Sequence, residues 1–381
     1  MQSIVSKLPG KGTTIFTTMS SLAAEHKAIN LGQGFPDFPM DSTLTNAVNA
    51  AMQQGYNQYA PMAGWLPLRE VLAEKIHFLY HHNIHPDTEI TITPGGTYAI
   101  FTSLTAILQP DDEVIVLEPA YDSYVPNILA NNARPVLVSL NPTDFSIPWE
   151  AIRKAVNHRT KAIIINSPHN PTGTIWSDSD MLLLQELVVQ HQLYLISDEV
   201  YEHLVFDGAL HQSVLRYPAL FQRSFACFSF GKTFHCTGWK IGYCVAPQNL
   251  MEEFRKIHQY NCFSVHTPSQ VGITEFLKDR SSYLQLSQFI QEKRDYFVEL
   301  MKSTRFTLLP SKGSYFCCAG YDRISEQGDL EFARQLTLNH GVATIPVSAF
   351  YKDAKPSPYI RFCFAKKKET LEAAVEKLSL V

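Results

Sequence analysis

KAIIINSPHNPTGTIWSDSDMLLLQELVVQHQLYLISDEVYEH (residues 161–203) holds two short apolar runs on either side of a helical pattern. The runs, KAIIINSP (161–168) and LYLISDE (193–199), do not alternate with polar residues. Between them Leu182, Leu183, Leu184, Leu187 and Val188 recur within 177–191 as in a crossover helix. Strands without alternation are buried on both faces, and strands joined by helices lie parallel. The same texture returns in EVIVLEP (113–119), SFACFSFGK (224–232) and IGYCVAP (241–247). Only a turn-sized segment separates the last two, so one of them is expected to run antiparallel. The expected class is α/β, with a mostly parallel central sheet sandwiched by helices.

The texture changes after a long helical pattern, YLQLSQFIQEKRDYFVELMKS, at 283–303. Short strands, FTLLP and SYFCCAG, are followed by a helix and by YIRFCFA. This predicts a smaller α+β domain. The expected division is 1–40 as an N-terminal segment packing with the small domain, 41–285 as the large domain, and 286–381 as the small C-terminal domain. The length of 381 residues agrees, since ~150 residues per domain suggests two or three.

A net charge of −4, from 32 basic and 36 acidic residues, leaves no electrostatic footprint for nucleic acid or an anionic membrane. No uninterrupted apolar run reaches the ~18 residues needed to span a bilayer, and MQSIVSKLPGKGTTIF lacks the apolar core of a signal peptide. The seven cysteines, at 227, 236, 244, 262, 317, 318 and 363, form no C-x-x-C pair and read as reduced thiols. The expectation is a cytoplasmic protein.

In open parallel sheets ligands bind beyond the carboxyl ends of the strands. The polar residues that end each run therefore come first: Glu118 and Tyr121, Asn166 and Asn170, Asp198 and Tyr201, Ser229 and Lys232. Asp198 and Lys232 stand out, because an ionisable group in an apolar setting is costly unless paired. Spacing alone leaves a second reading open, with Asp198 as a helix N-cap and Lys232 on the surface. Thr93-Pro94-Gly95-Gly96-Thr97, leading into an apolar helix, is a candidate phosphate cradle or a plain strand-to-helix turn. Two motifs are decoys. Gly231-Lys232-Thr233 imitates the end of a Walker A loop, but Ala226 stands where the earlier glycine is required. His77, His81 and His85 are spaced as on one helix face, but they run into a loop with no acidic ligand in register.

Together these residues form a set that pyridoxal phosphate needs: an amine for its aldehyde, a carboxylate for its ring nitrogen, and anchors for its phosphate. With LGQGFPDF (31–38), NQYAPMAG (57–64), SPHNPTG (167–173), SDEVYEH (197–203), SFGKTFHCTGWKIGY (229–243) and YIRFCF (359–364), the sequence resembles fold-type I pyridoxal-phosphate enzymes of the class I/II aminotransferase group. The likeness covers essentially the whole chain and is strongest to methionine aminotransferases and kynurenine–oxoglutarate transaminases.

The resemblance implies roles residue by residue. Lys232 would hold the cofactor and shuttle a proton, Asp198 would pair with the ring nitrogen, and Tyr201 and Asn170 would hydrogen-bond the ring oxygen. Tyr121 would stack on the ring. Gly96 and Thr97 would cradle the phosphate with Ser229 and Lys240, the latter a point charge where many relatives carry arginine. Tyr59 would reach the phosphate of a neighbouring subunit, which makes the expected active unit a homodimer with shared sites. Arg361 would clamp the substrate carboxylate, assisted by Gly34 and Asn170, Phe16 would cover the substrate side chain, and the aromatic character of Phe16 and Tyr124 would suit an apolar donor. Gly95-Gly96-Thr97-Tyr98 departs from the commoner Gly-Ala-Thr-Glu pattern, which is expected to alter packing more than phosphate binding. The implied reaction is a ping-pong transfer of the amino group of an L-amino acid, with methionine or aromatic donors and kynurenine favoured, to a 2-oxo acid. A cysteine-conjugate β-lyase with the same machinery is the nearest alternative. A cofactor-sensing regulator would need a DNA-binding module, and the motifs begin by residue 31.

Overall fold

The structure is a computed structural model of the chain and describes residues 4–10, 12–353 and 357–381. Strand β1 (Ile29–Asn30) stands apart from a seven-stranded sheet made of β2 (Ile90–Thr93), β3 (Glu113–Glu118), β4 (Arg134–Ser139), β5 (Thr160–Asn166), β6 (Tyr194–Asp198), β7 (Ser224–Ser229) and β8 (Gly242–Val245). The strand order is β2-β8-β7-β6-β5-β3-β4, and β8 alone runs against the rest. The mostly parallel α/β sheet and the one reversed strand are those expected from the apolar runs.

Successive residues of the central strands enter different cores. Ile115, Leu117, Ile163, Ile165 and Leu195 pack on one face of the sheet. Val114, Val116, Ala162, Ile164 and Ile196 pack on the other. Both faces are dry, which is why these runs carry no polar alternation. The crossover between β5 and β6 contains the helix Asp178–Gln190, whose Ser177 and Asp180 form a reciprocal capping box. Met181, Leu184, Leu187 and Val188 are its buried residues.

Beyond the helices Ser281–Leu284 and Leu286–Met301 lie β9 (Thr307–Leu308), β10 (Phe316–Gly320), β11 (Val342–Ala343), β12 (Ile345–Pro346) and β13 (Tyr359–Cys363). Strands β12-β13-β10-β9 form an antiparallel sheet, while β11 pairs with β1 in parallel. The N-terminal chain is tied there a second time, by the Cys363 N–H donating to Leu31 O at 2.7 Å. Arg361, on β13, thus faces the carboxyl ends of β5 and β6. Among the described residues no helix is long and apolar enough to cross a membrane.

Candidate active site

A cavity of about 380 Å³ opens beyond the carboxyl ends of β5, β6 and β7. β6 delivers Asp198, β7 delivers Ser229, and the turn after β2 delivers Gly95 and Gly96 at the start of the helix Gly96–Ile107. Because β8 is reversed, the segment before it, not after it, reaches the same rim and brings Lys240.

Lys232 lies in a short helical turn, Phe230–Thr233, directly after β7. Its Nζ donates to the Gly34 carbonyl at 3.0 Å, a neutral acceptor. Burial brings the amine down to about 8, and the Arg361 and Lys240 charges push the same way. Its backbone carbonyl accepts from Tyr315 OH at 2.5 Å, and His235 Nδ1 lies 3.1 Å from that hydroxyl.

Asp198 is buried at the end of β6. Its Oδ2 accepts from Tyr124 OH at 2.5 Å, and its Oδ1 accepts from the Val200 N–H at 3.3 Å. Burial raises the carboxyl to about 6, against those hydrogen bonds and the Lys232 charge. Asn166 braces the strand end, donating from Nδ2 to Asp198 O at 2.9 Å and accepting from the Asn170 N–H at 2.8 Å.

Arg361 is 1% exposed. It donates from Nη1 to Asn170 Oδ1 at 2.7 Å and from Nη2 to Gly32 O at 2.5 Å. Phe316, Phe350 and Phe16 surround it, with ring centroids 3.9, 5.0 and 5.3 Å from Cζ. Both acceptors are neutral carbonyl oxygens, and Nε is buried with no hydrogen-bond partner. Burial lowers this guanidinium to about 10. A buried guanidinium with a spare N–H and neutral acceptors is a site for a carboxylate.

At the other end of the cavity, Gly95 holds φ +86° and the helix it opens has no side-chain cap. A Cβ on Gly95 would sit 3.6 Å from Lys240 Nζ, so an ammonium stands beside uncapped helix N–H groups. Helix N-termini of this kind bind anions. Lys240 itself takes φ +51°, a conformation that costs a non-glycine residue about 1 kcal/mol.

The family described as aminotransferase class I and II matches the chain over residues 26–378. The chain belongs to the class I and II aminotransferases. It is an enzyme that moves an amino group from an L-amino acid to a 2-oxo acid. Methionine aminotransferase of Escherichia coli is 45% identical over 98% of this chain and 97% of its own length. Kynurenine–oxoglutarate transaminase 1 of Homo sapiens is 34% identical over 94% and 93%. Among solved structures, the Escherichia coli protein YbdL, identified with a methionine aminotransferase function, superposes with a TM-score of 0.97 over the full length of both chains at 44% identity. Aspartate aminotransferase of Thermus thermophilus with maleate reaches a TM-score of 0.91 at 29% identity, again over the full length of both.

In this aminotransferase the cavity gathers Phe16, Gly34, Gly96, Thr97, Tyr121, Asn166, Asn170, Asp198, Tyr201, Ser229, Lys232, Lys240 and Arg361, all singled out from the sequence. Tyr59 is not among them. It is 82% exposed, edge-on to Phe263 at 5.5 Å. Tyr124 is not beside the substrate pocket as expected but behind Asp198, 3% exposed. Glu118 also lies away from the cavity, where Oε1 accepts from the Lys352 N–H at 2.6 Å. Phe316, Gln33 and Phe35 line the cavity without having been singled out. Phe316 sits in an apolar strand run, which gives an aromatic core residue and an aromatic site residue the same appearance.

Proposed function

We propose that this aminotransferase uses pyridoxal 5'-phosphate, takes methionine and aromatic amino acids or kynurenine as donors, and works as a cytoplasmic homodimer. The observation that carries the reading is one cavity holding a half-buried amine, a buried carboxylate and a buried guanidinium at separate stations. The residues fit the cofactor. The uncapped helix start at Gly96 and Thr97, with Ser229 and Lys240, suits a phosphate. Asp198 suits a protonated ring nitrogen, which would give the buried carboxylate an opposed cation. Tyr121, Tyr201 and Asn170, which line the same cavity, would flank the ring.

When bound, pyridoxal phosphate supplies an electron-accepting ring that stabilises negative charge at the amino acid Cα. Arg361 binds the substrate carboxylate through its fork, and Asn170 Oδ1 keeps that fork oriented. Lys232 Nζ takes the Cα proton and holds it for redelivery; at about 8, its pKa leaves a useful share of free amine near neutrality. Phe16 and Phe35, with the apolar wall of the cavity, receive the donor side chain. A thioether is well matched to aromatic edges, at ~0.3–1.5 kcal/mol per contact. The names of the Escherichia coli and human relatives support the same donors.

Tyr59, exposed beside Phe263, is the residue proposed to serve the second subunit. The limits at 40 and 285 belong to the same proposal. Met19 and Leu31 share a core cluster with residues of the C-terminal part, and Leu286 packs against that cluster and the large one. Residues 1–3 and 11 of the first segment lie outside the described residues.

The test is a visible absorbance spectrum of the purified protein with pyridoxal phosphate, before and after methionine. A yellow band lost on adding methionine and restored by a 2-oxo acid is expected. A protein that stays colourless would overturn the cofactor, and a band indifferent to methionine, kynurenine and aromatic amino acids would overturn the donors. Pyruvate released from a cysteine conjugate without an acceptor would mark a lyase instead.

A further inference from the structure

The SDEVYEH segment divides between two environments. Asp198, Val200 and Tyr201 line the cavity, while Glu199 and Glu202 turn away from it into buried protein. Glu202 accepts from Lys75 Nζ at 2.5 Å, from Tyr80 OH at 2.7 Å and from Tyr243 OH at 3.0 Å, with His203 Nε2 3.3 Å away. Lys75 also donates to Tyr243 OH at 3.0 Å. The Lys75 and Glu202 side chains are 4% and 3% exposed. Burial works against charge on Glu202, but Lys75 and then His203 outweigh it and hold the carboxyl well below the usual range. Glu199 is fixed in the same manner by Ser197 Oγ at 2.9 Å, His211 Nε2 at 2.8 Å and the Val214 N–H at 3.1 Å.

The partners of Glu202 come from separate parts of the chain. Lys75 and Tyr80 belong to the helix Leu66–Tyr80, and Tyr243 lies on β8, three residues after Lys240. The Tyr243 ring stacks on Phe228 at 4.6 Å and lies 5.1 Å from Phe230, so it also touches the segment leading to Lys232. The three stretches that bear Asp198 and Tyr201, Ser229 and Lys232, and Lys240 therefore converge on one ion pair, on the side away from the cavity.

Past Asp198 the backbone leaves the sheet, and 199–203 is a turn outside the strand ladder. Its place is set by the Glu199 N–H, which donates to Cys227 O on β7 at 2.9 Å, and beyond that by the side-chain anchors of Glu199 and Glu202. Well-packed apolar residues can replace a buried ion pair with little loss of stability, so stability alone does not call for these two residues. A carboxylate gripped by three donors supplies direction. We propose that Lys75 and Glu202 are positioning residues for amino-group transfer, acting through Tyr201, Asp198 and the start of β8 without touching substrate or cofactor. The inference rests on the reading of the cavity as a pyridoxal-phosphate site.

The experiment compares wild type, Lys75→Met, Glu202→Gln and the double variant. Four quantities are read: the melting temperature of the cofactor-free protein, the Kd for pyridoxal phosphate, kcat against KM, and the pH midpoint of the visible band. That midpoint depends on the groups around Lys232, namely Asp198, Tyr201, Lys240, Arg361 and Cys363. Each single variant leaves one charge buried alone, whereas the double variant leaves none. The double variant is expected to melt near wild type, yet to lose about ten- to a hundredfold in kcat with KM little changed, and to show a displaced band midpoint. A double variant that recovers melting temperature, kcat and midpoint together would reduce the pair to a packing role and overturn the inference. If the double variant does not fold, Glu202→Gln, which keeps an acceptor for Tyr80 but leaves Lys75 without its counter-charge, is read by kcat, KM and band midpoint alone, and wild-type kcat and midpoint in it would overturn the inference. A wild type without a visible band would bring down the cofactor reading and this inference with it. A wild-type band with unshifted variants would bring down the inference alone.

Discussion

The hydroxyl of Tyr124 donates to Oδ2 of Asp198 from behind the cavity, at 2.5 Å. That hydrogen bond favours the ionised carboxylate against a burial effect that already lifts it to about 6. Tyr124→Phe should raise the Asp198 pKa further, so the variant loses ionised Asp198 first at low pH. We expect the Kd for pyridoxal phosphate, bound from the cofactor-free state, to rise about tenfold near pH 6.5, equivalent to about 1.4 kcal/mol, and to recover toward wild type by about pH 8. Binding profiles of the two proteins measured in parallel check this. A defect of constant size across that range would refute the role.

Arg361→Lys keeps the charge and removes the fork. The ammonium cannot hold Asn170 Oδ1, Gly32 O and a bidentate carboxylate at once. KM for the amino donor and for the oxo acid should both rise, about a hundredfold, while the spectrum of the bound cofactor stays as in wild type. Steady-state kinetics with each substrate varied separately would show it. Unchanged KM values would remove Arg361 from the carboxylate site.

Gly242→Ala would place a Cβ 2.3 Å from the Phe228 carbonyl oxygen and 3.2 Å from Gly95. Both neighbours are backbone and cannot swing aside, and the second belongs to the phosphate cradle. Urea unfolding should show a loss of at least about 2 kcal/mol with an unchanged slope, together with weaker binding of pyridoxal phosphate. Wild-type values for both would mean that β8 yields more easily than its pairing with β2 and β7 implies.

Burial holds His169, His235 and His258 neutral, each down to about 4. Unfolded, each titrates near 6.5, so between about pH 6.5 and 4 the unfolded chain binds more protons than the folded one. Their contribution is complete above about 6.5 and is lost as the pH falls to 4, at up to about 1.4 kcal/mol per pH unit for each. Asp198, raised to about 6, acts in the opposite sense, since its folded form holds a proton that the unfolded form has released. Asp329 is raised by burial as well. Three histidines outweigh these two carboxyls over most of that window. The urea midpoint of the cofactor-free protein should therefore drop between pH 7 and pH 5, and a flat profile would contradict the burial of these rings.

The interior strands were legible because both of their faces are dry, so β3, β5, β6, β7 and β8 each left a continuous apolar run. The edge strands left none. β4 is half-exposed along RPVLVS, and β2, ITIT, is four residues long, too short to separate from a loop. Lys232 and Asp198 stood out as charges at the ends of apolar runs, but spacing alone also allowed a surface lysine and a helix N-cap, and Arg361 was singled out only through the family resemblance. Tyr124 was misplaced because a tyrosine at a helix start gives no sign of which way its hydroxyl points. Phe316 was overlooked because an aromatic in a β-strand packs in a core far more often than it lines a site. The Glu202 cluster was invisible for another reason. Its members, Lys75, Tyr80, Glu202 and Tyr243, are spread over three separate segments and meet only through folding.

The reversal of β8 has a consequence for what insertions the chain can tolerate. Since β7 runs toward the cavity and β8 away from it, residues 233–239 form a closed loop with Lys232 at one foot and Lys240 at the other. Adding or deleting one residue there would move the two amines relative to each other, and no neighbouring segment could make up the difference. The other cavity residues come from separate segments, Gly95 and Gly96 from the turn after β2, Asp198 from the end of β6 and Arg361 from β13. Within this loop it is the length, as much as the lettering, that is under constraint.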